Sequence, residues 1–394
     1  MRRRRLLWKR LWLVCCSGLV GLLLAEVALR LLGVSFPLPY VPDPACGSRL
    51  RPGLCAWYTK EGRAYFRINS AGFRDREHCP EKPPGTFRVA VLGDSYAEAF
   101  QVDQQETFWA VLERELQQRD FASGRAVEVL NFGVSGFGTA QELEMLRHQV
   151  WAYAPDLVLL TVCTGNDIRN NSRRLETERV RPFYFLQDGE LQIDRTFLEH
   201  PSYLIAQSTK DKIKNALINR CRLLQVVKEL RMRHAAKQTS PMGAIGLDDL
   251  IYLEPPDDDW RDAWEITERL ITAMHAELRA RGARFHVVTL SNPLQVHPDR
   301  AVREAYQRTL GVADLFYPER RLSELGRREG FPVTALAPRM QQYAAEHQVY
   351  LHGFPNTKPG DGHWNADGHG LAGQWIAESL LQHCATVEIE STSR

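Results

Sequence analysis

Four short strings in this chain carry the residue types on which hydrolytic chemistry depends. Gly93-Asp94-Ser95-Tyr96 supplies a hydroxyl, and Asn131-Phe132-Gly133-Val134-Ser135-Gly136 supplies a glycine-rich turn. Thr164-Gly165-Asn166-Asp167 supplies a carboxamide, and the late string Asp361-Gly362-His363-Trp364-Asn365-Ala366-Asp367-Gly368-His369 holds two acid–histidine pairs. A serine hydroxyl is a weak nucleophile until an adjacent base takes its proton, and the base in turn must be oriented by a third group. N–H groups aimed at the reacting centre stabilise the negative charge that develops on a substrate oxygen. Together the strings read as a nucleophile, oxyanion donors and an acid–base pair. Each residue also has an ordinary structural use: Ser95 as a helix cap, Gly133 as a tight turn, Asn166 as a turn residue bonding its own backbone. No C-x-x-C and no histidine-rich metal spacing occurs, so the expectation is neither a metal nor a cofactor.

These residues need a frame that brings distant strings to one edge, and hydrophobic periodicity predicts one. FRVAVLG (87–93), VEVLN (127–131), DLVLLTVC (156–163) and RFHVVTLSN (284–292) are short apolar runs of the kind that form buried parallel strands. A short VYLH run (349–352) is a candidate fifth strand. Amphipathic helices are predicted over 107–119, 140–153, 260–281 and 366–382. Strand alternating with helix implies an α/β fold, a doubly wound parallel sheet of about five strands covered on both faces. The first three strings each follow a strand, at the C-terminal edge where such folds bind ligands. Residues 169–258 break the alternation and read as a helical insertion capping that edge.

At this point the sequence resembles the SGNH/GDSL hydrolases, whose Gly-Asp-Ser, glycine, asparagine and late Asp/His blocks all occur here in order. The resemblance covers about residues 60–385 and includes the lead-in Asn69-Ser70-Ala71-Gly72-Phe73-Arg74-Asp75, associated with membrane-anchored bacterial members. It implies that Ser95 is the nucleophile, that Gly133 and Asn166 donate to the oxyanion with the Ser95 N–H, and that Asp94 holds the turn. It leaves two candidates for the acid–base pair. Asp361-Gly362-His363-Trp364 matches the D-x-H-W form of the alginate-type O-acetyltransferases, and Asn365 suits the N-cap of the last helix. The expectation is therefore His363 as base oriented by Asp361, with Asp367 and His369 inside the helix. Ser135, in a near match to G-x-S-x-G whose last position is Phe137, reads as a turn residue.

Charge and hydropathy place this domain. Lys plus Arg total 50 against 48 acids, but residues 1–10 hold six of the bases, so the remainder carries 44 bases and a net −4. A mildly acidic body lacks the basic stripe of a nucleic-acid-binding protein. The basic start and the apolar run beyond it fit a signal peptide or a signal anchor, and with no convincing small-x-small cleavage site the uncleaved reading leads. It gives a cytoplasmic tail (1–10) and a transmembrane signal anchor (11–33), followed by a Pro/Gly-rich stalk (34–57) and a catalytic domain (58–385). Positive-inside logic puts the domain in the periplasm or outside the cell. In that oxidising space Cys46 and Cys55 are the best candidate disulfide.

Three functions fit these features. The first is a serine-dependent acyl-ester hydrolase acting on an acylated glycan or small ester. The second is an O-acyltransferase in which a polysaccharide hydroxyl replaces water. The third is a silent carbohydrate-binding or assembly protein, against which the intact Ser95, Asn166, Asp361 and His363 argue. Tyr96, Phe137 and Trp364 are available either for sugar stacking or for packing.

Overall fold

The computed structural model describes residues 2–236 and 248–392. Helix α1 (Arg2–Leu31) leads into two hairpins, β1 (Tyr40–Asp43) with β2 (Gly47–Leu50) and β3 (Cys55–Tyr58) with β4 (Ala64–Arg67). Strand β5 (Thr86–Leu92) is followed by the short helix α2 (Ser95–Glu98), α3 (Phe108–Gln118), β6 (Ala126–Asn131), α4 (Thr139–His148), β7 (Leu157–Cys163) and α5 (Asp167–Asn170). The insertion contributes a hairpin, β8 (Phe183–Gln187) and β9 (Glu190–Asp194), then α6 (Pro201–Gln207), α7 (Thr209–Arg220) and α8 (Arg222–Ala236). The remainder is α9 (Asp258–Ala280), β10 (Arg284–Leu290), α10 (Arg300–Leu310), α11 (Tyr317–Glu329), β11 (Val333–Ala335), α12 (Leu336–His347) and α13 (Ala366–Thr392).

The central sheet runs β11-β10-β7-β5-β6, with every pairing parallel. Every residue of β5 and β7 is buried, because helices cover both faces, and this explains their unbroken apolar character. Leu143, Trp264, Leu270 and Leu322 from α4, α9 and α11 pack one face. Leu112, Met340 and Ile376 from α3, α12 and α13 pack the other. The chain leaves β5 towards β6 on one side and continues from β7 to β10 and β11 on the other. The strand order therefore reverses between β5 and β7, where a crevice opens at their C-terminal ends. The expected doubly wound five-stranded sheet is what the chain forms.

Four expectations are corrected. Residues 349–352 join no sheet, and His352 makes only an isolated bridge to Trp364; the fifth strand is the three-residue β11. Residues 34–57 are not a stalk, since β1–β4 lie against the domain and Cys46, Leu50 and Ala56 are core residues. A few apolar side chains in this Pro/Gly-rich stretch are enough to seat it. Cys46 and Cys55 are both free, with Cys46 buried and its thiol donating to the Gln141 carbonyl, while Cys55 is exposed on β3. The insertion is only partly helical, because it begins with the β8–β9 hairpin, and residues 237–247 lie outside the described residues. Within α1, Arg4–Leu31 is long and apolar enough to cross a membrane.

Candidate functional site

Ser95 stands at the first position of α2, immediately past β5. Gly93 makes this turn feasible, because a Cβ there would sit 2.0 Å from Thr161 Oγ1 on the neighbouring strand. Asp94 closes the turn by accepting the Tyr96 N–H at 3.0 Å and lies 3.4 Å from both Ser95 Oγ and Asn166 Nδ2. Burial raises its pKa, and the Tyr96 bond, the charge of His363 and the Asn166 side chain only partly offset this. Asp94 is thus a brace for the Ser95 turn.

The His363 loop comes to this point from the far end of the chain. His363 Nε2 lies 2.8 Å from Ser95 Oγ. Its Nδ1 lies 2.6 Å from Oε2 of Glu61, and its backbone N–H donates to Oε1 of the same carboxylate at 2.6 Å. An ionised carboxylate can only accept, so the proton sits on Nδ1 and Nε2 presents its lone pair to the serine hydroxyl. Burial favours a neutral ring, but the hydrogen bond and charge of Glu61, then the charges of Asp94 and Glu98, outweigh it and raise the His363 pKa above 6.5. Burial would raise Glu61 as well, yet the bonds and charge of His363 hold it below the usual carboxylate range.

Glu61, not Asp361, is therefore the group that orients His363. Asp361 makes no ion pair or hydrogen bond to His363, and its N–H donates to the Lys358 carbonyl. Glu61 sits in the turn between β3 and β4. Asn356, from the loop before His363, holds that turn by donating to the carbonyls of Thr59 and Gly62 and accepting the Gly62 N–H. Nothing in the sequence spacing connects Glu61 to His363. A glutamate in a Lys-Glu-Gly turn reads as surface, and only the docking of the β3–β4 hairpin reveals its position.

The loop bearing His363 is itself fixed by a buried network. His352 Nδ1 donates to the Gly362 carbonyl at 2.7 Å, so its Nε2 accepts from Ser291 Oγ at 3.1 Å, and Ser291 accepts the indole N–H of Trp364 at 2.8 Å. Burial pushes His352 down to about 3, keeping it neutral. The second acid–histidine pair lies apart from this site. Asp367 is exposed in the first turn of α13, while His369 is buried, accepts the Phe108 N–H and stacks on the Phe108 ring. Asn365 caps α13 through the Gly368 N–H.

The expected oxyanion donors divide. Asn166 is half-buried with Nδ2 directed to Asp94, beside the Ser95 turn. Gly133 is buried, its N–H is taken by Asn131 Oδ1 at 3.0 Å, and a Cβ there would stand 2.4 Å from that of Ala97. That glycine lets α2 pack on the β6 turn and has no free donor. Farther along the same turn, the Gly136 N–H has no hydrogen-bond partner among the described residues, nor does the Ser95 N–H. Ser135 donates its N–H to Glu98, as befits a turn residue.

The lead-in 69–75 braces the same region. The Arg74 guanidinium is buried and donates to the carbonyls of Glu98, Ala99 and Val102, closing the C-terminal end of α2, where Ala99 adopts a left-handed φ of 51°. Asp75 accepts the Asn131 N–H, and Asn131 donates to the carbonyls of Arg74 and Ala97. Tyr96, Phe137 and Trp364 are buried packing residues, not stacking surfaces.

A cavity of about 200 Å³ lies against His363, walled by Phe36, Pro37, Tyr58, Phe66 and Phe100, with Glu98 among its polar lining. Tyr40 Oη binds the Glu98 carboxylate at 2.8 Å, and burial pushes Glu98 up to about 7 despite the Ser135, Tyr40 and Arg74 interactions. A second cavity of about 500 Å³, bordered by Gln141, Arg181 and Asn215, shares Tyr40 and Ser135 with the first. Among the described residues no cluster of His, Cys, Asp and Glu is arranged to hold a metal ion.

No protein-family model and no curated protein matches the chain. Among solved structures it is similar to one named for the G-D-S-L lipolytic family from Desulfitobacterium hafniense, with 11% identity over 74% of this chain and 98% of that one, TM-score 0.34. It is also similar to an acetyl xylan esterase, with 11% identity over 75% and 99% of the two chains and TM-score 0.36. A third is a catalytic mutant of an acetylxylan esterase from Geobacillus stearothermophilus, with 9% identity over 75% and 94% and TM-score 0.39. At such distances the chemistry has to be argued from this chain's own geometry.

Proposed function

We propose that this protein is a serine-dependent acyl-ester hydrolase of SGNH/GDSL type, held to a membrane by α1 with its catalytic domain outside the cytoplasm. Its substrate is an acylated glycan or small ester. The observation that carries this reading is the relay from Ser95 through His363 to Glu61, with contacts of 2.8 and 2.6 Å.

Ser95 Oγ attacks the ester carbonyl carbon while its proton passes to His363 Nε2. Glu61 holds the resulting imidazolium in place. The oxyanion is met by the N–H groups of Ser95 and Gly136 and by Asn166 Nδ2, each such donor being worth about 3–4 kcal/mol in hydrolytic sites. Collapse breaks the carbon–oxygen bond to the alcohol, which leaves with the proton from His363, and the acyl group stays on Ser95. Water then attacks the acyl carbon and gives its proton to His363. The bond to Ser95 breaks, the free acid departs, and the proton returns to the serine.

Fluorophosphonate labelling of the full chain in detergent, followed by peptide mass spectrometry, tests this. The expected adduct is on Ser95, lost in Ser95→Ala together with hydrolysis of p-nitrophenyl acetate. Folded protein that takes no label, or takes it elsewhere, overturns the assignment.

A further inference from the structure

The wall of the His363 cavity is the stretch of chain that leaves α1. Ser35, Phe36, Pro37, Pro39 and Tyr40 all line it, and α1 ends at Leu31. Four residues of extended chain span at most about 14 Å, so the cavity begins within that distance of the helix end. Both parts are also tied to one corner of the insertion. Glu26 of α1 accepts the N–H groups of Arg222 and Leu223 at 3.0 Å each. Phe36 N–H donates to Gln225, Leu38 N–H donates to Asn219, and Arg222 donates to Ser35 Oγ. Helix, cavity wall and the α7–α8 corner thus form one hydrogen-bonded unit.

That corner carries an unusual surface. Ile213 and Leu217 on α7, and Leu224, Val227 and Leu230 on α8, are between 44% and 61% exposed. At spacings of three and four they form stripes along their helices. Residues 209–236 hold eight Lys and Arg against two acids, in a chain whose total is nearly balanced. Apolar stripes flanked by bases are what seats a helix at the surface of an anionic bilayer, and here the stripes adjoin the one described helix able to span it.

Resting on the hydrolase and anchor readings above, we propose that the ester this site takes is carried by a bilayer-embedded molecule. Helices α7 and α8 lie on the bilayer surface, and the ester enters the cavity walled by residues 35–40 without leaving that surface. The largely apolar cavity takes the acyl group, and the larger, more polar one takes the alcohol portion.

The test uses the full chain reconstituted in phosphatidylcholine–phosphatidylglycerol vesicles and one coumarin acetate presented in two ways, free in water or tethered to a phospholipid headgroup. The tethered ester is expected to show a kcat/KM at least about tenfold higher, because tethering confines it near the site. The variant Ile213→Ser with Leu217→Ser is expected to lower turnover of the tethered ester by about three- to tenfold, since it weakens the interfacial seat. Unchanged hydrolysis of the free ester shows that the variant is folded. Equal turnover of both esters, or a variant that leaves tethered turnover unchanged, overturns the proposal. A chain that washes off the vesicles removes the anchor reading, and failure to cleave the free ester removes the hydrolase reading. Either failure removes this inference too.

Discussion

His363 is poised between two opposing influences, and its pH behaviour follows from which one wins. Burial disfavours the imidazolium, whereas Glu61, Asp94 and Glu98 favour it, and the net effect is a pKa above 6.5. Only the neutral ring can accept the Ser95 proton, so kcat/KM should rise with pH through a midpoint above 6.5. Glu61→Gln removes the largest raising influence, so its residual activity should show that limb at lower pH. The same change leaves the ring free to adopt the wrong tautomer and should cost about three to four orders of magnitude in kcat. Asp361→Asn, by contrast, should stay within about twofold, as expected for a residue that does not touch the relay. Comparable losses in both variants would return Asp361 to the site.

Between α4 and α5 lies a pair of acids outside the Ser95–His363–Glu61 relay. Glu142 and Asp167 are both fully buried, and neither Glu142 oxygen has a hydrogen-bond partner among the described residues. Burial raises both pKa values, the charge of Glu142 raises that of Asp167 further, and the charge of Asp94 raises both. An acid whose folded pKa exceeds its unfolded value binds more protons when folded. Stability is therefore full below the unfolded pKa and falls as pH rises towards the folded one. The melting temperature should accordingly decline as pH is raised from mildly acidic to alkaline. Glu142→Met, which keeps the volume and removes one acid, should flatten that decline and stabilise the protein at alkaline pH by about 1–3 kcal/mol. Calorimetry across pH checks this, and parallel curves for the two proteins would contradict it.

For the molecule as a whole, the first sixty residues behave differently from what their composition suggests. Pro/Gly-rich chain after an apolar helix reads as a tether, yet here it forms two hairpins that complete the core and bring Glu61 to the site. Cys46 and Cys55 are consequently on separate elements and unpaired. Maleimide treatment of the native full chain without reductant should therefore modify Cys55 and Cys79, which are exposed, and reach Cys46 only after unfolding. A Cys46–Cys55 peptide in the mass map would show the hairpins to be packed otherwise.

The sheet, most of its helices and three of the chemical strings are legible in the amino-acid order alone. Those features are written in local periodicity and in residue types that must follow a strand. Ser95 and His363 can be read because each lies in a distinctive string, and Asn166 because it closes a strand. Glu61 cannot, because its role arises from a contact across three hundred positions between a turn and a loop. Gly133 misleads for a related reason: a glycine's spacing shows that something approaches closely, but not whether its N–H remains free. Long-range packing settles that α2 rests against this glycine, while a local hydrogen bond to Asn131 Oδ1, two residues earlier, occupies its N–H. Packing likewise makes residues 35–40, unremarkable as a string, the wall of the cavity beside His363, because neighbours in space are chosen by the whole chain and not by adjacency along it.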